Sequence, residues 1–193
     1  MLKEGFQLLS KYNIKVPKYW VNEMPIHLKF PVVIKADINH KTEKNAVKLN
    51  INSFLELSKE YKKFKETFPG TDIIIQEQIT GKYQELILGV KKDKLFGYLV
   101  LIGIGGIYTE LLRDFIILMP EYSKETMIDR LKSLKLHKLL FGYRNLPPIN
   151  FSILYEYSIN LYRLAIENNL NEIEINPLLI NDDEAYAVDV RFF

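Results

Sequence analysis

Residues 171–193, NEIEINPLLINDDEAYAVDVRFF, form the stretch whose reading decides the fold. Glu172-Ile173-Glu174-Ile175-Asn176 alternates polar and apolar side chains, the two-residue period of a half-buried strand. Residues 185–191 alternate in the same way, and Asn181-Asp182-Asp183-Glu184 between them is a turn signal. If Ile180 pairs with Ala185, Asn176 faces Asp189 and Glu174 faces Arg191 on the same side. Directly opposed side chains have Cβ atoms about 4.5–5.5 Å apart. An amide oxygen and a carboxylate at that separation suit Mg²⁺, a hard cation that takes oxygen ligands and shares its shell with phosphates. Pro177 has no N–H for a ladder, so this point is expected at an edge or a bulge. An ordinary edge hairpin with a Glu–Arg pair and a solvated Asn fits the same residues, and a one-residue slip would turn the whole set to the other face.

Outward from this hairpin, composition sets the limits. A chain of 193 residues with 48% hydrophobic and 26% charged residues suits one domain or two small lobes. A net charge of +2 is too small to argue for a nucleic-acid partner. The chain has no cysteine, which excludes disulfides, thiolate zinc sites and a cysteine nucleophile. No apolar run approaches the roughly 18 residues of a membrane span, and residues 1–4 lead into an amphipathic pattern instead of a signal-peptide core. A cytoplasmic protein without membrane or nucleic-acid partners is expected.

In order, the pattern predicts a helix over residues 2–12 and an extended segment over 15–21, with room for at most one short helix over 25–30. A buried strand over 30–35 ends at Lys35. After a polar loop comes a strand over 46–51, then a helix over 53–68 with Asn52 as N-cap and Pro69-Gly70 as the stop. A strand over 72–79 turns polar at its end. A hairpin follows, residues 85–91 and 95–104 around Lys92-Asp93-Lys94, and then a glycine cluster, Gly103-Ile104-Gly105-Gly106. Helices are predicted over 122–136 and 149–169. Two hairpins among mixed elements argue for an α+β fold with antiparallel sheets. The lobe boundary is expected near residues 79–82, giving an N-terminal lobe of about 1–79 and a C-terminal lobe of about 80–193.

Ten short strings in fixed order give the chain a resemblance: LLSKYNIKVP from Leu8, PVVIK from Pro31, His40-Lys41, VKLN from Val47, Gln76-Glu77, ELILGV from Glu85, GIGGIYTE from Gly103, GYR from Gly142, EINP from Glu174 and AVDVR from Ala187. In this order they resemble an ATP-grasp domain. More closely, the chain is similar to the β subunit of ADP-forming acyl-CoA (acetate–CoA) synthetases, relatives of succinyl-CoA synthetase. The resemblance implies a two-lobed fold that binds ATP or ADP with Mg²⁺, and a partner α subunit carrying the CoA-binding domain and a phosphohistidine. It also implies site roles. Lys35 is expected at a nucleotide phosphate. Glu77, with Gln78 and Ile79, is expected at the adenine edge, and Glu85 at the ribose hydroxyls. Gly105 and Gly106 would allow close backbone approach to a phosphate or carboxylate. Glu110 and Asp114 match acidic positions near the reacting phosphate, and Asn176 and Asp189 match the Mg²⁺ ligands. Glu174 matches a residue that orients the phosphorylated histidine, and His40 a histidine implicated in passing the phosphoryl group between subunits. Each has a plainer alternative: a surface lysine, solvated glutamates, a tight glycine turn, a loop histidine. His27 and His137 have no motif around them and are expected to be structural.

The chain also departs from the family pattern. Where a Gly-Gly phosphate loop is usual after His40-Lys41, it has Glu43-Lys44-Asn45-Ala46. An arginine expected after Asp114 is replaced by apolar residues around Ile117. The implied activity is that of an acid–thiol ligase subunit. The departures favour a second expectation, a non-catalytic ATP-grasp module that binds nucleotide or a partner and regulates.

Overall fold

The computed structural model describes residues 2–38, 45–106 and 111–193. The chain divides into two units, Pro17–Ile79 in one and Leu2–Val16 with Thr80–Phe193 in the other. The expected N-terminal lobe of about 1–79 is therefore corrected at its start. The first helix, α1 (Leu2–Lys11), buries Leu2, Phe6 and Leu9 and packs on elements of the second unit. Gly5 seats it: a Cβ there would stand 2.5 Å from Val190 Cγ1.

The smaller unit is a four-stranded antiparallel sheet of β1 (Tyr19–Val21), β2 (Val32–Ala36), β3 (Val47–Ile51) and β4 (Ile73–Glu77), in the order β1-β4-β2-β3. Helix α2 (Phe54–Thr67) covers one face, where Val32, Ile34, Ala36, Ile73 and Ile75 form a core with Leu57 and Phe64. Strands β2 and β4 are buried on both faces, so polar–apolar alternation is muted in them. The N-cap of α2 is Ser53, whose hydroxyl accepts the Glu56 N–H at 3.2 Å, and not Asn52 as expected. The Asn52 side chain is turned back to donate to Asn50 O at 2.6 Å. No helix occupies residues 25–30.

The larger unit holds a six-stranded antiparallel sheet: β5 (Gln84–Asp93), β6 (Gly97–Ile104), β7 (Phe115–Leu118), β8 (Glu172–Ile180), β9 (Ala185–Ala187) and β10 (Val190–Phe192). Its order is β10-β8-β5-β6-β7, with β9 also paired to β8. Helices α3 (Lys124–Leu131), α4 (His137–Leu140) and α5 (Phe151–Glu167) also belong to it. The helix expected over 122–136 is shorter, capped by Ser123 and separated by a turn from α4. The long helix α5 begins at its N-cap Asn150, which accepts from the N–H groups of Ser152 and Ile153 at 3.1 Å. His137 is structural as expected, its Nδ1 lying 2.8 Å from Leu134 O. Every ladder among the described residues is antiparallel, and the fold is α+β with two sheets.

Around the β8–β9 turn, Asn181 Oδ1 accepts the N–H groups of Asp183 and Glu184, both at 2.9 Å. The Glu184 carboxylate then receives the hydroxyls of Tyr83 at 2.5 Å and Tyr186 at 2.8 Å. The two phenols hold Glu184 below the usual carboxylate range. The Tyr83 hydroxyl is pushed up to about 12, first by burial and then by Glu184. The segment after α1 is sewn in beside this turn. Ala187 N–H donates to Lys15 O at 2.8 Å, and Lys15 N–H donates to the Tyr157 hydroxyl at 3.0 Å.

Candidate functional site

Strand pairing in the larger unit follows the register predicted for the last hairpin: Ile180 with Ala185, Leu178 with Ala187, Ile175 with Val190 and Glu174 with Arg191. Asn176 thus stands against Asp189, and its N–H donates to Asp189 O at 3.2 Å. The partner of β8 is not one continuous strand: it is interrupted at Val188-Asp189, where the Val188 N–H donates to Pro177 O at 3.3 Å, and resumes in β10. On its other side β8 is irregular at the same place. Asn176 and Pro177 lie between Ile175, paired with Leu88, and Leu178, paired with Leu86, so two residues oppose Ile87 alone. This is the bulge that Pro177 led us to expect, and bulges re-aim side chains.

The pairings order one face of the sheet into rows. Ile117, Leu101, Gly89, Glu174 and Arg191 form one row across β7, β6, β5, β8 and β10. In the next row Phe115, Gly103 and Ile87 lead to the bulge, beyond which lie Asn176 and Asp189. Tyr98 of β6 meets Tyr162 of α5 edge-on, with centroids 6.4 Å apart, so even-numbered residues of β6 face the helix. The rows of Leu101 and Gly103 therefore look away from α5. Burial, the larger effect, raises the pKa of Glu174, and the charge of Arg191 pulls it back.

The glycine turn closes on this site. Asn176 Oδ1 accepts the Gly106 N–H at 3.1 Å. Gly106 has φ +62°, and a Cβ there would collide with the Glu85 carboxylate. The carboxylate that this glycine approaches is thus one of the chain's own. Gly105 is pressed on the Leu86 backbone, and Gly103 on Asp114 O and Phe115. Glu85 itself is exposed, with its C=O accepting from Gly105 N–H at 2.8 Å.

Asp114 is placed differently from a phosphate-facing acid. It is 7% exposed, and its two oxygens accept the N–H groups of Lys135 at 2.9 Å and Leu136 at 3.0 Å. This carboxylate fastens the turn that precedes α4. His40 and Glu110 lie outside the described residues.

In the smaller unit, Lys35 is buried and paired with Ile74 and Val47, on the face away from α2. Alternation sets Gln76 on that same face through its pairing with Val33, with Tyr19 opposite it on β1. Glu77 falls on the side of Ile73 and Ile75, and its N–H donates to Lys18 O at 2.9 Å. The Gln78 side chain is latched to Asn50, accepting its N–H at 2.7 Å and donating to its Oδ1 at 2.8 Å. Ile79 is half-buried. Gln76 and Tyr19 are the polar neighbours of Lys35's face that the sequence pattern did not single out, since β4 shows no alternation to assign them.

Among the described residues, no group of three or more His, Cys, Asp or Glu side chains is set to hold a metal. Asn176 and Asp189 offer one amide and one carboxylate oxygen. That set fits Mg²⁺, which is commonly held by one or two protein oxygens together with substrate phosphates and water. It does not fit a metal that needs a full protein cage. The Gly106 N–H bonds the Asn176 oxygen and the Val190 N–H bonds one Asp189 oxygen.

Comparison with known proteins gives a consistent picture. A family model described as an ATP-grasp domain matches residues 2–193. The chain is similar to the beta subunit of acetate–CoA ligase [ADP-forming] I from Pyrococcus furiosus, with 30% identity over 97% of this chain and 88% of that protein. It is also similar in structure to the dinucleotide forming acetyl-coenzyme A synthetase 1 of Ca. Korarchaeum cryptofilum, in complex with coenzyme A and Ca-AMPCP. There the TM-score is 0.89 at 28% identity, covering all of this chain and 91% of that one. A second structure of that synthetase holds coenzyme A and Mg-AMPPCP, with its phosphohistidine segment pointing towards the nucleotide binding site. It matches with a TM-score of 0.85.

Proposed function

Because this chain belongs to the ATP-grasp domain family, we propose that it is the nucleotide-binding, β-type subunit of an ADP-forming acyl-CoA synthetase. Its role is phosphoryl transfer between ADP or ATP and a histidine on a partner α subunit that also carries the CoA-binding domain. The net reaction is acyl-CoA + ADP + phosphate ⇌ carboxylic acid + CoA + ATP.

The observation that carries this reading is the opposition of Asn176 and Asp189 beside the Glu174–Arg191 pair, on a sheet face turned away from α5. Asn176 and Asp189 would hold Mg²⁺, which when bound neutralises charge on the phosphoryl oxygens. Glu174 orients the incoming imidazole by accepting its N–H, and Arg191 steadies that carboxylate from the opposite strand. Lys35 supplies a point charge for a phosphate. Gln76 joins it as a polar contact for the base or ribose, in place of Glu77. Gly106 holds the Asn176 oxygen in place. His40 is the group proposed to pass the phosphoryl on.

A second reading has one observation in its favour. Ile117, near where the family has an arginine, lies in the same row as Glu174 and Arg191, so that row is short of one cation. Such a chain would bind Mg·nucleotide without turning it over.

Calorimetric titration with Mg·ADP, with and without Mg²⁺, tests the site. Metal-dependent binding lost in Asp189→Ala and kept in the turn variant Asp183→Ala is the expected result. Equal loss from both would sink the metal assignment. Binding without phosphoryl exchange in the reconstituted complex would favour the second reading.

A further inference from the structure

Among the described residues, strand β7 is an edge of the larger sheet, and it is guarded differently from the others. Edge strands invite pairing with another chain, and proteins blunt them with charge, shortness, bulges or cover. Strand β1 has three residues and follows Pro17. Strand β3 carries Lys48, a register shift opposite it and Asn50 at φ +58°. Strand β10 has three residues, bears Arg191 and is packed by α1, while Ala187 of β9 is hydrogen-bonded to Lys15. Residues 115–119 carry no charge at all, and Phe115, Ile117 and Met119 are 42%, 49% and 53% exposed.

The backbone of this edge has a defined direction. Ile104 N–H donates to Asp114 O at 2.9 Å, so Asp114 turns its carbonyl toward β6. In an antiparallel ladder the N–H and C=O of one residue point the same way, and the next residue points the opposite way. Asp114, Ile116 and Leu118 therefore serve β6, and Phe115, Ile117 and Met119 turn their N–H and C=O to the open side. Pro120 falls on the β6-facing parity, so it removes no outward donor.

We propose that β7 pairs antiparallel with β7 of a second copy of this chain, about a two-fold axis through Ile117. That register opposes Ile117 to Ile117 and Phe115 to Met119, and all three outward-facing residues exchange hydrogen bonds. Charge selects it. Arg113 and Glu121 are exposed and stand four residues either side of Ile117, each at a left-handed turn, φ +46° and +69°, where the chain leaves the strand. Centring on Ile117 sets Arg113 of one copy against Glu121 of the other, twice by symmetry. Shifting the centre to Ile116 sets Arg113 against Met119 and loses both pairs.

Sedimentation velocity of the full chain over a wide concentration range tests this. A reversible dimer is expected. Arg113→Glu and Glu121→Arg each place like charges in opposition twice, and each should weaken dimerisation by roughly tenfold. The double variant R113E/E121R restores both pairs and should return dimerisation to the wild-type level. Ile117→Pro removes only an outward N–H, so it should abolish the dimer while circular dichroism and thermal melting stay close to wild type. A chain that stays monomeric at every concentration overturns the proposal and leaves the edge to a strand of another protein. A dimer that ignores Ile117→Pro, or a double variant no better than the singles, overturns it equally.

Discussion

Gly106 donates its backbone N–H to the side-chain oxygen of Asn176 at 3.1 Å. The glycine turn after β6 and the bulge in β8 are thereby fastened to each other at the oxygen proposed to meet Mg²⁺. A bond across 70 residues of sequence makes the turn part of the site.

Gly106→Ala should damage this arrangement twice. The position has φ +62°, and the added Cβ would meet the Glu85 carboxylate. Left-handed backbone at a non-glycine residue costs on the order of 1–3 kcal/mol. Denaturant titration should show a loss in that range, and affinity for Mg·ADP should fall roughly tenfold, about 1.4 kcal/mol. Affinity and stability equal to wild type would show that the turn has no part in binding.

Asp114→Ala should be a stability variant first. Two backbone N–H groups would lose their acceptor, each worth about 1–3 kcal/mol when left unpaired. Asp114→Asn, which retains one acceptor oxygen, should lose about half as much in urea unfolding. Unchanged stability with lost phosphoryl transfer would return Asp114 to the reacting phosphate.

Alkaline unfolding should report the Tyr83–Glu184 bond. The Tyr83 hydroxyl has a folded-state pKa of about 12 against 10 for the free phenol. The stability it contributes is full below pH 10 and declines as pH rises from 10 to about 12, because the unfolded chain gives up its proton first. Tyr83→Phe should cost on the order of 1 kcal/mol at neutral pH and flatten the melting-temperature curve in that alkaline interval. A slope as steep in Tyr83→Phe as in the wild type would assign it to another group.

The last hairpin was legible because both of its arms are half-buried and therefore alternate. That alternation, together with a turn that pairs Ile180 with Ala185, sets Asn176 against Asp189 and Glu174 against Arg191. Strand β4 lies buried on both faces, so its run of isoleucines could not say whether Gln76 or Glu77 shares the face of Lys35. Asp114 is matched to an acidic position near the reacting phosphate by resemblance alone, and its backbone donors, Lys135 and Leu136, are not visible in a sequence. Strand β7 has no polar residue to mark its period, and the cap of α2 falls on Ser53, one residue after the expected Asn52, both being residue types that suit the position. Helix α1 was assigned to the wrong unit because sequence proximity is a poor guide to packing when a chain returns to its starting layer.

That return has a consequence for biosynthesis. Since α1 rests on β10, with Gly5 seated against Val190, the helix has no site to occupy until the last strand has been translated. At about 5–20 residues per second, the interval from residue 11 to residue 190 is roughly 10–40 s. Until then Leu2, Phe6 and Leu9 lack part of their native cover, whereas the unit of residues 17–79 holds every strand of its own sheet once Glu77 has been translated. The smaller unit can therefore fold before α1 finds its cover, and a holdase bound to residues 2–12 would delay only the larger unit.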